Sequence, residues 1–168
     1  LLLYIKFVSY AFLRPIEVSR LKIGDINLNN RTIRFKAKNS PLKTKIIPEI
    51  LWKDLPDLKA LDKELALFTP EGIGGKWEST TESRRTYFTR RFKQVVKDHF
   101  NLGTDFGLYS FRHTYITKLY RELVKQSSPF EAKSKLMLIT GHTSMTALEK
   151  YLRDIDAELP ADFSDLLR

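Results

Sequence analysis

Residues 141–151 read Gly-His-Thr-Ser-Met-Thr-Ala-Leu-Glu-Lys-Tyr, and this stretch decides how the rest of the chain is interpreted. Gly141 suits the left-handed end of one helix, and Thr143 or Ser144 can cap a short second helix. His142 then follows a helix end, and Tyr151 closes the short helix nine residues later. Taken alone, the stretch is more typical of a helix cap and a packed tyrosine than of an active site.

Three basic motifs upstream change that interpretation. Arg14 begins Arg-Pro-Ile-Glu, Lys38 lies in a lysine-rich segment, and Arg112 lies within Ser-Phe-Arg-His-Thr. Cleaving a phosphodiester without a metal requires a nucleophile, charge stabilisation and a proton for the leaving oxygen. Tyrosine, arginine and lysine suit these three tasks in that order. The motifs together therefore indicate a phosphodiester-handling site, in which Lys36 or Lys43 could replace Lys38 as the acid.

The composition limits the class of protein. The 168 residues carry a formal net charge of +9, which favours a polyanionic partner, nucleic acid first. The absence of cysteine excludes disulfides, thiol catalysis and cysteine-ligated zinc. The 3 histidines lack the spacing of a metal-binding helix, so we expect no metal and no cofactor. The apolar start is interrupted by Lys6 and is too short to span a membrane.

The hydrophobic pattern predicts one domain over residues 1–168, mainly α with a small antiparallel β-hairpin (an α+β fold). The strands are predicted over residues 32–38 and 43–47, with Ile33, Phe35 and Ala37 on the buried face. A surface loop is predicted over residues 69–80. Helices are predicted over residues 1–13, from Pro15 to about Gly24, over 49–67 with a break near Pro56, over 82–100, from Ser110 to Lys125, from Pro129 to Gly141 and up to Tyr151.

Further basic side chains lie on the predicted hairpin and on the predicted helix over 82–100. They are candidate contacts to double-stranded DNA, although a solvated helix face explains the second group about equally well. The candidates are Arg34, Lys36, Lys43, Lys45, Arg84, Arg85 and Arg91.

The motifs resemble those of the tyrosine recombinases, the phage-integrase family. Residues 13–26 resemble the first arginine motif of that family, and residues 35–48 are similar to its lysine hairpin. Residues 109–114 resemble the second arginine box, and residues 138–142 with Tyr151 resemble the closing histidine and nucleophile. These motifs occur in the family's order and span residues 14–151, so the resemblance implies a tyrosine recombinase catalytic-domain fold.

The resemblance also implies a role for each motif residue. Arg14 and Arg112 would clamp the scissile phosphate, and Lys38 would protonate the 5′ oxygen as it leaves. His142 would hydrogen-bond the phosphate or assist proton transfer. Tyr151 would attack phosphorus and hold the DNA as a 3′-phosphotyrosine, without metal or cofactor. Glu17, one turn after Arg14, could orient that arginine.

One position departs from the family's pattern. The family usually has histidine three residues before the second arginine, where this chain has Tyr109. A phenol donates a hydrogen bond but is a poor base near neutral pH. His113 is not expected to replace the missing histidine, because it should point about 100° away from Arg112 around the helix axis. More of the proton handling is therefore expected to fall to His142.

The remaining expectations concern the biological setting. The resemblance implies a site-specific DNA recombinase or integrase of a bacterial, phage or other mobile element, acting in the cytoplasm as a synaptic homotetramer with accessory DNA-bending proteins. Because residue 1 is not methionine, we expect a fragment that lacks the N-terminal core-binding domain. Residues 152–168 are expected to dock on a neighbouring protomer. A type IB topoisomerase and a non-catalytic DNA-binding module stay open as alternatives, the latter because of Tyr109.

Overall fold

A computed structural model describes residues 1–37 and 41–152 of the chain. Lys38 and the expected docking tail after Leu152 lie outside the described residues. The helices are α1 (Leu2–Tyr10), α2 (Pro15–Val18), α3 (Glu49–Trp52), α4 (Thr81–Phe92), α5 (Leu108–Val124), α6 (Pro129–Thr140) and α7 (Met145–Glu149). The strands are β1 (Ile26–Asn27), β2 (Thr32–Lys36), β3 (Leu42–Ile46), β4 (Ala66–Phe68) and β5 (Ile73–Gly75). The predicted class, mainly α with small antiparallel sheets, is confirmed.

The larger core is built around α1, whose side chains are apolar on most of its surface. Tyr4 stacks on Phe88 with ring centroids 4.3 Å apart, and Phe68 meets both rings edge-on. The buried hydroxyl of Tyr4 donates to the carbonyl oxygen of Pro15 at 2.6 Å. This bond satisfies a polar group that would otherwise be costly to bury, and it fixes α1 against the start of α2.

A second, smaller core joins the three C-terminal helices. Ile116 of α5, Leu136 of α6 and Leu148 of α7 are fully buried against one another. Phe12, from the turn between α1 and α2, inserts its ring into the same cluster. Its backbone has φ 53°, a left-handed conformation that is uncommon for a residue other than glycine. This core sets how the turn before α2 and the turn between α6 and α7 lie relative to α5.

The main sheet is antiparallel with the strand order β1-β2-β3. The predicted burial of Ile33, Phe35 and Ala37 is confirmed. Directly paired residues share a face of an antiparallel sheet, and Ile33 pairs with Lys45 while Phe35 pairs with Lys43. The two lysines of β3 therefore lie on the inner face of the sheet.

The predicted helical segment over residues 49–67 is wrong beyond its first turn. The helix ends at Trp52, and turns follow in which the side chains of Asp57 and Asp62 accept hydrogen bonds from backbone N–H groups two residues later. Such turns compete with helix formation. Residues 66–68 are instead the buried strand β4, which pairs with β5 inside the segment predicted as a loop.

Several helix ends also differ from the prediction. The helix from Pro15 stops at Val18, a π-helical turn (Lys93–Lys97) follows α4, and α5 begins at Leu108. Ser110 is not the N-cap of α5, although its hydroxyl accepts the N–H of Gly107 at 3.0 Å. The C-cap at Gly141, with φ 76°, is confirmed. Along the described ranges, no helix has both the length and the apolar character needed to cross a membrane.

Candidate active site

Helix α5 presents three polar side chains on one face. Arg112 and His113 follow Tyr109 by three and four residues, so both side chains lie beside that of Tyr109 on the helix surface. Ile116, one turn further, is fully buried in the second core and holds this face inward. The site is therefore fixed to a rigid helix rather than to a loop.

The turn between α6 and α7 brings His142 and Tyr151 to this face. Arg112 Nε donates to the Tyr151 hydroxyl oxygen at 3.2 Å, and an Arg112 terminal nitrogen lies 3.4 Å from His142 Nε2. The Arg112 guanidinium also lies over the Tyr151 ring, 5.4 Å from its centroid. Arg112 thus contacts both His142 and Tyr151, the two candidate residues of the stretch from Gly141 to Tyr151.

Arg112 is a buried cation that has no carboxylate counterion among the described residues. Its side chain is 2% exposed. No ion pair within residues 1–37 and 41–152 involves it. Burying a charge is costly unless it is paired, and here the partners of the guanidinium are a phenol and an imidazole. The arrangement is suited to an anion that enters from outside the protein.

Arg14 is held at the edge of the site by Glu17. One terminal nitrogen of Arg14 lies 3.0 Å from Glu17 Oε1, and Glu17 Oε2 accepts the backbone N–H of Arg14 at 2.7 Å. Glu17 is buried, whereas the side chain of Arg14 is 40% exposed. The charge of Arg14 is close enough to lower the pKa values of Tyr151 and His142. The half-buried guanidinium of Arg14 therefore faces the same site as Arg112.

The hydroxyl groups of Tyr109 and Tyr151 are hydrogen-bonded to each other. Burial alone would raise the pKa of Tyr151, but the charge of Arg112, the hydrogen bonds from Tyr109 and Arg112, and the charge of Arg14 together hold it below its ordinary value. Burial and the neighbouring Tyr151 raise the pKa of Tyr109. Tyr151 is therefore the phenol that ionises first, with Tyr109 as its hydrogen-bond donor.

Thr140 determines the tautomer of His142. The Thr140 hydroxyl donates its hydrogen to the carbonyl oxygen of Leu136 at 2.7 Å, and its oxygen lies 2.6 Å from His142 Nδ1. Because a hydroxyl has one hydrogen to donate, His142 Nδ1 must be the donor of the second bond. Burial, then the charges of Arg112 and Arg14, lower the pKa of His142 to about 4. His142 is therefore neutral at pH 7, with a lone pair on Nε2.

His113 lies at the site, although it was expected to point about 100° away from Arg112 around the helix axis. Its imidazole lies beside the Tyr151 ring, with centroids 4.4 Å apart, and 5.1 Å from the ring of Tyr109. The expectation compared His113 only with Arg112, one residue earlier. Tyr109 lies four residues before His113, which places the two side chains on the same face.

Lys45, predicted as a candidate DNA contact on the hairpin, instead enters the site from strand β3. Its ammonium donates to the carbonyl oxygens of Ala11 at 3.0 Å and Thr140 at 2.7 Å. Burial and the charge of Arg112 lower the pKa of Lys45 to about 7, despite the opposing charge of Glu17. The available signal was the hairpin register, which pairs Lys45 with the buried Ile33. Lys43 follows the same direction and donates to the carbonyl oxygen of Gly141 at 3.2 Å.

The other candidate DNA contacts lie outside this cluster. Arg34 is exposed and donates to the carbonyl oxygen of Gly24. Arg84 lies over the Trp77 ring, 5.4 Å from its centroid, and Arg85 pairs with Glu82 at 2.9 Å. The side chains of Lys36 and Arg91 are exposed.

The fold is similar to those of solved recombinases. The XerA recombinase superposes with a TM-score of 0.60 at 15% identity, over 90% of this chain and 52% of that one. The XerH site-specific recombinase, in a post-cleavage complex with palindromic difH substrate, gives 0.59 at 17% identity over 90% of this chain and 41% of its own. The Tn1549 transposon integrase, in complex with circular intermediate DNA, gives 0.56 at 15% identity over 97% and 54%.

These likenesses establish the fold. No protein-family model matches the chain, and no curated protein matches it in sequence. The chain spans about half the length of the three solved structures. It has the fold of a tyrosine recombinase catalytic domain, as the order of its motifs predicts.

Proposed function

We propose that this chain is the catalytic domain of a tyrosine-type site-specific DNA recombinase or integrase. The observation that carries the proposal is Arg112, a buried guanidinium that contacts both Tyr151 and His142. Within the part of the chain that the structure describes, it has no carboxylate partner. A phosphodiester anion is a suitable ligand for such a group, because the guanidinium fork pairs phosphate oxygens. The fold shared with recombinases supports this choice of anion.

In the proposed reaction, Arg14 and Arg112 hold the non-bridging oxygens of the scissile phosphate. Arg14 is more accessible than the buried Arg112 and is therefore reached first by DNA, and Glu17 fixes its direction. Negative charge that builds up on these oxygens during attack is stabilised by both guanidinium groups. Preorganised charge of this kind is usually the largest single contribution to such catalysis.

Tyr151 is the proposed nucleophile. Its oxygen forms a bond to phosphorus as the bond from phosphorus to the 5′ oxygen breaks. The phenol proton passes to His142 Nε2, whose lone pair is set by the bond from Nδ1 to Thr140. Tyr109 donates a hydrogen bond to the Tyr151 oxygen as it becomes ionised. The anionic phosphate raises the low pKa of His142 when it binds, which favours this transfer.

Lys38 is the proposed general acid. It donates a proton to the departing 5′ oxygen, which leaves as a 5′-hydroxyl, while the DNA 3′ end stays joined to Tyr151. The reverse reaction with the 5′-hydroxyl of a partner strand rejoins the DNA and frees the tyrosine. The phosphate bond energy is kept in the phosphotyrosine, so the cycle consumes no nucleotide.

Double-stranded DNA is the proposed partner. The net charge of +9 and the exposed Arg34, Lys36 and Arg91 favour a polyanion. Solved neighbours of the same fold are complexes of XerH with difH and of the Tn1549 integrase with transposon DNA. We extend the proposal to a synaptic homotetramer with accessory DNA-bending proteins, acting in the cytoplasm on a mobile element.

A trapping experiment tests the proposal without knowledge of the target sequence. The 168-residue chain is incubated with a pool of duplexes that carry a nick inside a randomised core and a fluorophore at the 5′ end of the nicked strand. Cleavage near the nick releases a short oligonucleotide and traps the labelled strand on the protein. We expect a band that survives SDS, with the DNA attached to the peptide that contains Tyr151.

Two variants control the trapping experiment. Tyr151→Phe should abolish the labelled band, whereas Tyr120→Phe, on the opposite end of α5, should leave it unchanged. A band that persists in Tyr151→Phe contradicts the nucleophile. Salt-sensitive DNA binding without any band supports the non-catalytic module instead, and supercoil relaxation without strand exchange supports a type IB topoisomerase.

A further inference from the structure

Strand β3 faces the protein with its basic side chains rather than its apolar ones. Leu42 and Ile46 are 59% and 75% exposed, whereas Lys43 and Lys45 between them are partly buried. A strand beside a core usually turns its apolar positions inward. The reversed arrangement needs polar partners on the inner side, because a buried ammonium is costly without them.

The partners of Lys45 are two backbone carbonyls from distant parts of the chain. One belongs to Ala11, in the turn after α1, and the other to Thr140, in the last turn of α6. The rings of Phe12 and Phe35 lie 5.9 and 5.8 Å from the ammonium and complete its surroundings. The ammonium therefore joins three segments of the chain at one point: strand β3, the turn after α1 and the end of α6.

Each carbonyl lies just before a residue of the candidate active site. Ala11 precedes Arg14 by three residues, and the segment between them includes Phe12 in its left-handed conformation. Such a conformation persists only where the surrounding structure holds it. On the other side, Thr140 precedes His142 by two residues and also binds its Nδ1.

The last turn of α6 is a favourable place for this ammonium. The unpaired carbonyls at the C-terminus of a helix carry partial negative charge, which attracts cations. Lys43 adds a second ammonium at the carbonyl of Gly141. Lys45 is also in close contact with Gly141, where an added Cβ would lie 2.9 Å from its Cε. Two lysines of strand β3 thus bind the turn that leads to His142.

We infer that Lys45 is a positioning residue, which fixes the Arg14 segment and the His142 turn relative to each other through its bonds to Ala11 and Thr140. This inference rests on the proposed function, because it assigns these two segments to one reaction. Lys45 does not need to contact DNA in this role. Its protons are already directed at two carbonyls, and its effect reaches the reaction through His142 and Arg14.

The test compares Lys45→Met, Lys45→Arg and the exposed control Lys53→Met. For each, three quantities are measured: the single-turnover rate of adduct formation on the nicked duplex pool, the DNA dissociation constant, and the ¹⁵N signals of His142. Because the chain has 3 histidines, His142→Asn identifies those signals. Circular dichroism and thermal unfolding check that each variant is folded.

We expect Lys45→Met to slow adduct formation by roughly 10- to 100-fold, since small displacements of reacting groups have effects of this size. DNA affinity should change by less than about threefold, because phosphate contacts rather than this residue determine it. The His142 signals should shift in the DNA-free protein. Lys45→Arg, which keeps donors for both carbonyls, should recover most of the rate, and Lys53→Met should match the wild type.

Two results would overturn the inference. One is a Lys45→Met protein with the wild-type rate and unchanged His142 signals. The other is a loss of DNA affinity as large as the loss of rate, which would make Lys45 a phosphate contact. If the wild type forms no adduct, the proposed function fails, while the His142 signals of the DNA-free variants still decide whether Lys45 positions this turn.

Discussion

Tyr109 and Tyr151 share a hydrogen bond although 42 residues separate them in the chain. Each lies beside the buried Arg112, and their pKa values are moved in opposite directions, upward for Tyr109 and downward for Tyr151. Of the two phenols, Tyr109 therefore acts as the hydrogen-bond donor and Tyr151 is the one that ionises. Tyr109 stands where the resembled family usually has histidine, and it contacts the proposed nucleophile as a hydrogen-bond donor rather than as a base.

Tyr109→Phe should slow adduct formation by roughly tenfold or more, because a hydrogen bond to a charged group contributes about 1.5–3 kcal/mol. The pKa of Tyr151 should rise, so the rate should reach its plateau at a higher pH than in the wild type. Single-turnover rates between pH 6 and 10 measure both effects. Tyr120→Phe is the matched control, and an unchanged pH profile in Tyr109→Phe would contradict the donor role.

Thr140→Val should disturb His142 without changing the shape of the side chain. The hydroxyl that accepts the Nδ1 proton is lost, so the tautomer with the proton on Nε2 becomes accessible and places this proton towards Arg112. We expect a rate loss of roughly tenfold or more, with Thr140→Ser close to wild type. The ¹⁵N shifts of His142 report the tautomer directly. Retention of the Nδ1–H form in Thr140→Val would show that another group sets it.

Lys38 can be tested as the general acid by changing the leaving atom. Lys38→Ala should cleave an ordinary phosphodiester roughly 10²- to 10⁴-fold more slowly than the wild type. A substrate with sulfur in the 5′ bridging position should restore the rate, because a thiolate leaves without a proton. Lys36→Ala and Lys43→Ala are the comparison variants. Selective rescue of either of these, instead of Lys38→Ala, would transfer the role of the acid to that lysine.

Lys45 should make the stability of the fold depend on pH above neutrality. Its folded pKa of about 7 lies below the ordinary value of 10.5, because of burial and the charges of Arg112, Lys43 and Arg14, with Glu17 opposing. Between these values the unfolded chain binds more protons than the folded one. The free energy of unfolding should therefore rise with pH from about 7 towards 10, by at most about 1.4 kcal/mol per pH unit.

Urea unfolding at pH 7, 8 and 9 measures this slope. Lys45→Met should show a smaller slope, because this titrating group has been removed. The corresponding contribution of His142, whose pKa is lowered to about 4, has the same sign but is complete by about pH 6.5. Equal slopes in the wild type and in Lys45→Met would show that the ammonium is not held in a site that opposes its charge.

The central residues of the candidate site could be picked out from the sequence because they belong to local motifs. Tyr109 and Arg112 are three residues apart on one helix, so their shared face follows from helix geometry. His142 and Tyr151 are linked by a helix cap and a short helix, both readable from Gly141 and Ser144. That the two pairs meet is not a local property, and the resemblance to a known family supplied it.

The lysines were harder to place because strand register decides their direction. A shift of one residue in the pairing of β2 with β3 would have turned Lys45 outward and Ile46 inward, and the alternation in the sequence favours that arrangement. Carbonyls of Ala11 and Thr140, which compensate for the buried charge, are contributed by segments far away in the chain. Similarly, β4 forms because its partner β5 is available, whereas its own sequence resembles a helix.

The inward direction of Lys43 and Lys45 also changes the surface of the sheet, because their apolar neighbours on β3 are exposed instead. Lysines on an outer strand normally discourage other chains from pairing with it, and β3 is the outer strand of its sheet. Here the ammonium groups of Lys43 and Lys45 bind backbone carbonyls on the inner side of the sheet. Leu42 and Ile46 face the solvent. We therefore expect the isolated chain to self-associate as it is concentrated, and Ile46→Thr to delay the onset of light scattering. A sheet whose edge lysines turn inward to bind backbone carbonyls gives up part of its protection against aggregation.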